Sequence, residues 1–536
     1  MGNYLSEHNK KGLRKEAVFR CGKTGGTQST PTVLGVADVL MFDRINEDKF
    51  ELPIPELKSE DIDEFGGGPS GNGEVYLGYE VVEKDFPMDL QTAMFLMYGL
   101  GACTTTGTQI PNAEDTIASG QGTTSIVLTN TALSFKKNAL AGLSIIIDPT
   151  PGTPSYHTIV SHAATTTAAL TLVITPAAGA SANTKKVHFM GTAAGTDVVA
   201  AGQNTASITL TNLCTVAANG LIGKTVIINS IKYVIIANAA KTGAALTLTL
   251  DKACGASDNT KTLTWYTYPY THAITEANSL YSFIFHDELK DTSPSATFDI
   301  LREYYGCLVK KVVIHLEPKQ KVTCTATVMV GAYQQATTSG ANVNTQTTFP
   351  EPFDDTQSEI FTFDMLDNNS TYSYFKYNGT SIESSVTFWN EVGAIDITIE
   401  REISYENVNG DVFPYKVKFK KRTYSVKFSG YTPTNNTLYL LRNKKLTEYT
   451  GPITLKFRLS KDKTRNDEYI DLTFDSLKLK SYPDNMVNIK EAQKAIDFEL
   501  VNAMKYTDTT NVAHAVGTCV ISALDKFDKR YYEDLA

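Results

Sequence analysis

The sequence predicts a mainly β fold, and three observations carry that prediction. Apolar and polar residues alternate with period two in stretch after stretch. Gly, Asn and Pro separate those stretches, and helical periodicity is confined to two short segments.

Along the chain, Glu51–Gly73 is acidic and then rich in Gly and Pro, and reads as a long loop. Tyr76–Val82 closes a β region. Asp89 is the expected N-cap of a helix over Leu90–Leu100, in which Leu90, Met94 and Met97 share a face and Gly99-Leu100-Gly101 is the stop. Ser282–Phe285 is a strand. Lys310–Leu316 and Val322–Val330 alternate cleanly around the turn Pro318-Lys319-Gln320-Lys321, which predicts a hairpin with Val322, Cys324, Ala326, Val328 and Val330 on one face. Ala394–Tyr405 alternates through Ile395, Ile397 and Ile399, and Asn409-Gly410 is a tight-turn signal. Tyr415–Phe428 alternates again, with Val417, Phe419 and Tyr424 among lysines. A second short helix is expected at Thr437–Asn443, followed by strands at Leu455–Leu459, Tyr469–Leu479 and Ile496–Leu500.

The 536 residues allow three to four domains at roughly 150 residues each. Composition changes near Thr116 and changes back near Trp265: this stretch holds nine Lys and no Arg, four Asp and no Glu, a charge of +5. The remainder then carries 40 basic against 54 acidic residues, −14, within a net charge of −9. Such a step marks an inserted region, and the insert is itself duplicated. Ser125-Ile126-Val127-Leu128-Thr129-Asn130 recurs as Ser207-Ile208-Thr209-Leu210-Thr211-Asn212. Ile145-Ile146-Ile147-Asp148 recurs as Val226-Ile227-Ile228-Asn229, and Asn183-Thr184-Lys185 as Asn259-Thr260-Lys261. Two copies are too few for a solenoid, so two small independent β modules are expected. The rest of the chain repeats its order of elements, strand, helix, strand, charged loop and strand pair. The expected division is residues 1–115 with 266–340, the copies 116–192 and 193–265, and 341–536.

Chemistry-bearing patterns are sparse. Seven cysteines, Cys21, Cys103, Cys214, Cys254, Cys307, Cys324 and Cys519, include no C-x-x-C pair, and read as buried thiols of a protein made in a reducing cytoplasm. His157 and His162 lack a carboxylate neighbour, so no metal site is expected there. Cys21-Gly22-Lys23-Thr24 lacks the glycine that a phosphate-binding loop needs five residues before Gly22, where Ala17 stands. Gly66–Gly73 has no helix after it, and Asp61, Asp63 and Glu64 have no spaced ligand pattern. Lys416, Lys418, Lys420 and Lys427 are expected on the strand face opposite the packed residues. No nucleophile–base signature is present, so no catalytic, cofactor-binding or metal-binding residue is assigned and no enzyme activity is expected. No apolar run reaches the roughly 18 residues of a bilayer span, and the polar Met1–Lys15 reads as no signal peptide. The acidic balance argues against a sequence-reading DNA binder.

The body resembles the tail tube proteins (major tail proteins) of tailed bacteriophages. The resemblance rests on Leu100-Gly101-Ala102 at the helix end, Tyr270-Thr271-His272, the strand Ser282–Phe285, Tyr304-Tyr305-Gly306-Cys307-Leu308-Val309-Lys310, and a hairpin with Val322-Thr323-Cys324-Thr325-Ala326-Thr327 before Gly331. It implies two tail-tube-like β-sandwich domains, each with one short flanking helix, plus the two inserted small β domains. It further implies a virion structural protein whose rings stack into a conduit for DNA ejection. The ring would be a homotrimer with pseudo-sixfold symmetry, or alternatively a homohexamer. Its partners would be copies of itself, a tape-measure protein and tail-terminator or baseplate proteins, with DNA passing the lumen unbound and no membrane contact. Glu51–Gly73 would clasp the neighbouring ring, acidic body residues would line the lumen, and the copies would sit outside. The other reading is a decoration, baseplate or adhesin protein whose β modules bind host surface glycans. Against it, the insert has only Trp265 and few Tyr for stacking on sugars.

Overall fold

A computed structural model describes residues 18–22, 40–41, 43, 57–61, 75–79, 82–110, 115–119, 124–148, 154–166, 168–178, 182, 184–190, 197–203, 205–290, 298–317, 320–336, 360–363, 374–377, 380–381, 394–406, 416–431, 453–461, 468–481, 496–502, 506–507, 513–514 and 516–532. It is mainly β with large antiparallel sheets, and Met94–Leu100 (α1) is the only α-helix among the described residues. The chain divides into two compact units, one of Met1–Cys103 with Ala273–Ala523 and one of Thr104–His272 with Leu524–Ala536.

In the first unit one antiparallel ladder runs Val82–Asp89, Thr323–Val330, Phe298–Leu316, Ala394–Glu406, Lys416–Tyr431, Ile496–Asn502, Tyr469–Ser481, Ile453–Ser460 and Tyr374–Tyr377. Alternation gives each central strand one apolar face. The cross-strand row Met88, Cys324, Ile314, Ile397, Val426 and Leu500 is buried throughout. Helix α1 packs over this face: a Cβ at Gly99 would lie 3.3 Å from Val312 Cγ2. All seven residues of α1 are buried, so it is apolar all round. The two body halves also show the same ladder order. Val82–Asp89, Thr323–Val330, Phe298–Leu316 and Phe283–Lys290 are neighbours in turn. Lys416–Tyr431, Ile496–Asn502, Tyr469–Ser481 and Ile453–Ser460 repeat that sequence of neighbours.

Two expectations are corrected here. Asp89 does not cap the helix. It ends the strand Val82–Asp89, opposite Thr323, and the Leu90 N–H continues the pairing onto Val322 O at 3.0 Å. The helix therefore starts later, with Ala93 at the N-cap position and the Met94 N–H donating to the Thr92 hydroxyl at 3.2 Å. Its stop is as expected, Gly101 at φ 101° with its N–H on Met97 O. The Glu51–Gly73 loop is interrupted by the strand Leu57–Asp61, paired antiparallel with Val75–Tyr79, because polar residues also pair when a ladder is offered. The expected Thr437–Asn443 helix, the Asn409-Gly410 turn and Gly66–Gly73 lie outside the described residues.

The second unit holds two six-stranded sheets with one topology. Numbering six strands within each copy, the first has strands at Asp115–Thr116, Ser125–Val127, Ser144–Asp148, Ser155–His162, Thr171–Thr175 and Lys186–Phe189, paired in the order 1-6-3-4-5-2. The second has Asp197–Val198, Ser207–Val216, Thr225–Ile228, Ile231–Asn238, Lys241–Leu250 and Thr262–Glu276, paired in the same order. Antiparallel bridges Ile117–Leu128 and Val199–Leu210 join strand 1 to strand 2 and close each sheet into a barrel, which leaves no free edge. Equivalent side chains fill both interiors, for example Ile126 and Ile208, Ile147 and Ile228, and Phe189 and Trp265. The copies are not independent modules. One hydrophobic cluster runs through both, and the Thr158 hydroxyl donates to Thr215 O at 2.8 Å. Their turns meet so closely that a Cβ at Gly142 (φ +82°) would sit 2.2 Å from Gly220 O.

Candidate functional surface

The face of the body ladder opposite α1 is open to solvent. Cross-strand register places Asp89, Thr323, His315, Asp396, Lys427 and Glu499 in one row. The next row is Pro87, Thr325, Val313, Thr398, Ser425 and Val501, and the third Asp85, Thr327, Lys311, Glu400 and Thr423. None of these residues is buried. Five carboxylates, two lysines, one histidine and a run of hydroxyls make up most of this face, with no Arg, Phe, Tyr or Trp. The bulge opposite Arg401–Ile403 inserts one residue into Lys416–Tyr431 and keeps its register face constant. Lys418, Lys420 and Lys427 are exposed, as alternation predicts, while the Lys416 side chain lies outside the described residues.

The cations on and beside this face have carboxylate neighbours. Lys321 Nζ donates to Asp89 Oδ2 at 2.7 Å, Lys310 Nζ to Glu83 at 2.7 Å, and Lys480 Nζ to Glu499 Oε1 at 3.2 Å. His315 lies 2.5 Å from Asp396 Oδ1 and 3.1 Å from Glu317 Oε1. Burial pulls its imidazole down, but hydrogen bonds and charge from Asp396 and Glu317 outweigh that and hold it above its ordinary value. Exposed pairs of this kind contribute little stability, about 0–1 kcal/mol each. Their effect is electrostatic, because a polyanion meets no concentrated positive field.

Elsewhere the chain buries its polar chemistry. In the second unit Thr105 Oγ1, His272 and Asp525 form a hydrogen-bonded chain, 3.0 Å to Nδ1 and 2.9 Å from Nε2 to Oδ1, and the Tyr532 hydroxyl donates to Asp525 Oδ2 at 2.6 Å. The order hydroxyl–imidazole–carboxylate is that of a nucleophilic triad. Here all four side chains are at most 1% exposed, so the Thr105 hydroxyl is sealed from any solute. The chain instead ties the C-terminal segment to its unit, as does Lys529 Nζ, 3.2 Å from Asp251 Oδ2. No sequence spacing announces these groups, because 167 residues separate Thr105 from His272 and 253 separate His272 from Asp525.

The residues weighed from sequence do not converge. His157 bonds Pro176 O and Ser155 Oγ, whereas His162 Nε2 accepts the Leu140 N–H. Burial lowers both imidazoles. Cys21 and Gly22 lie in the strand Val18–Gly22, paired with Phe283–Lys290, and Asp61 ends the strand Leu57–Asp61. Lys23, Thr24, Asp63 and Glu64 lie outside the described residues. Cys214, Cys254, Cys307, Cys324 and Cys519 are buried free thiols and Cys103 is half-buried. Burial pushes Cys254, Cys324 and Cys519 up, away from reactive thiolate. Among the described residues no group of three or more His, Cys, Asp and Glu side chains could hold a metal ion, and no helix is long and apolar enough to cross a membrane.

No known protein family matches the chain, and no curated protein does.

Proposed function

We propose that the chain is a self-assembling structural subunit of a virion tube, of the kind found in phage tails, and that the polar face of its body ladder lines the conduit. The observation that carries this reading is the face itself: a wide sheet, packed by apolar side chains and α1 behind, solvent-open in front, and lacking what retains nucleic acid. It has no arginine forks, no aromatic platforms and no unbalanced run of cations. Its excess carboxylates repel phosphate within a Debye length of about 8 Å at physiological salt. The shared ladder order of the body halves supports a duplicated building block, which suits a trimer with pseudo-sixfold symmetry. Tape-measure, terminator and baseplate proteins are then its partners, the virion tail its location, and no catalytic step is assigned to it. Negative-stain microscopy of the purified protein tests the proposal: hollow rings or tubes with a bore of duplex width are expected, and persistent monomers contradict it.

A further inference from the structure

We infer that the surface of the duplicated unit is an anion-attracting face that fits an anionic polysaccharide. The inference does not depend on the tube reading. Every acidic side chain described in this unit is withdrawn from solvent. Asp115 accepts from Thr116 N, Thr129 Oγ1 and Asn130 N, and Asp258 from the Tyr233 hydroxyl and Gly255 N. Asp251 is paired with Lys529, Asp525 with His272 and Asp528 with Arg530. The carboxylates thus stabilise the interior, while Lys137, Lys186 and Lys261 stand exposed among Thr, Ser and Ala. Uncompensated ammonium groups on a hydroxyl-rich surface are complementary to sulfate, phosphate or carboxylate groups spaced along a hydroxylated chain.

The same inventory disfavours nucleic acid. Thr116–Trp265 contains no Arg, so bidentate forks are missing, and Phe135, Phe189, Tyr233 and Trp265 are buried, so they offer no stacking platform. Both copies also keep one unusual turn beneath a lysine. Thr184 and Thr260 each have φ 61°, a left-handed conformation that β-branched residues rarely adopt. Their N–H groups donate to the equivalent carbonyls Ile117 O and Val199 O at 3.0 and 2.9 Å, and Lys185 and Lys261 follow. Two equivalent lysine-bearing turns give a repeating polymer two points of attachment, which strengthens retention without any new contact type.

The test uses the full chain, with heparin as the probe and a DNA duplex of equal charge as the comparison, at low salt. Salt-dependent heparin binding is expected. Combining Lys137→Gln, Lys186→Gln and Lys261→Gln should weaken it about fivefold per lysine, roughly a hundredfold together. The three corresponding Lys→Arg changes should restore it, and Lys420→Gln in the body should leave it unchanged. Absence of salt-dependent binding by the wild type, unchanged binding by the triple Gln variant, or tighter binding of the duplex than of heparin would overturn the inference.

Discussion

Lys224 shows how one residue separates two copies of one unit. It occupies the position of Leu143 in the first copy, and both backbone N–H groups there donate to the carbonyl of an equivalent leucine, Leu140 and Leu221. The side chain is buried, with Nζ donating to Ala139 O at 3.0 Å and Thr267 Oγ1 at 3.2 Å. Burial pushes the ammonium down to about 8 from 10.5. Between those values the unfolded chain holds the proton and the folded one does not, so stability rises with pH across that window. Because the Thr267 hydroxyl also donates to Ala139 O, at 2.5 Å, Lys224→Met strands no acceptor. It should raise stability near pH 7 by about 1–3 kcal/mol and by less at pH 10, read from thermal unfolding at both values. Asp43 has the opposite slope. Burial raises its carboxyl to about 7 against the Thr92 hydrogen bond, and Oδ2 has no hydrogen-bond partner. The folded state keeps this proton between about pH 4 and 7 while the unfolded state loses it, so stability falls as pH rises through that window. Asp43→Asn should remove that slope and raise the melting temperature at pH 8 more than at pH 4. An equal shift at both would contradict the assignment. Neither residue stood out in the sequence, since burial of a single Lys or Asp depends on partners far along the chain.

Among elements, the strands were the legible part, because a period of two reports a half-buried face within a few residues. The Lys310–Val330 hairpin and the Ala394–Tyr405 strand emerged with the faces their alternation dictates. The helix start was misplaced because Asp89 suits an N-cap by type, yet its backbone is claimed by Thr323, a partner 234 residues away. Leu57–Asp61 was missed because it is polar and borrows its order from Val75–Tyr79. Barrel closure was equally invisible, since one bridge per copy decides it. The junction between barrels gives a sharp test. Gly142 and Gly202 have similar backbone, φ +82° and +79°, but a Cβ at Gly142 meets Gly220 O at 2.2 Å whereas nothing lies within 4 Å at Gly202. Gly202→Ala should cost about 1–2 kcal/mol from the left-handed backbone alone. Gly142→Ala adds a backbone collision that parts the barrels and should cost about 3 kcal/mol or more. Equal melting-temperature losses for the two variants would show that the barrels do not meet as closely as described.

At the scale of the molecule, charge is sorted by position. The body carries −14 and presents a sheet face richer in carboxylates than in lysines, whereas the duplicated unit hides its described acids and shows its lysines. One chain thus offers a surface that repels polyanions and another that attracts them, which net charge alone conceals. The composition step at Thr116 and Trp265 made the insert legible, but it placed Leu524–Ala536 with the body. That segment belongs to the duplicated unit, because Asp525 and Lys529 find their partners, His272 and Asp251, there. A cryo-EM reconstruction of the assembled protein tests the central proposal most directly. The rows through Asp85, Thr325 and Asp396 should face a continuous bore, with the paired barrels on the outer surface. A ring whose bore is lined by the lysines of the barrels, or an assembly that buries this face between subunits, would contradict it.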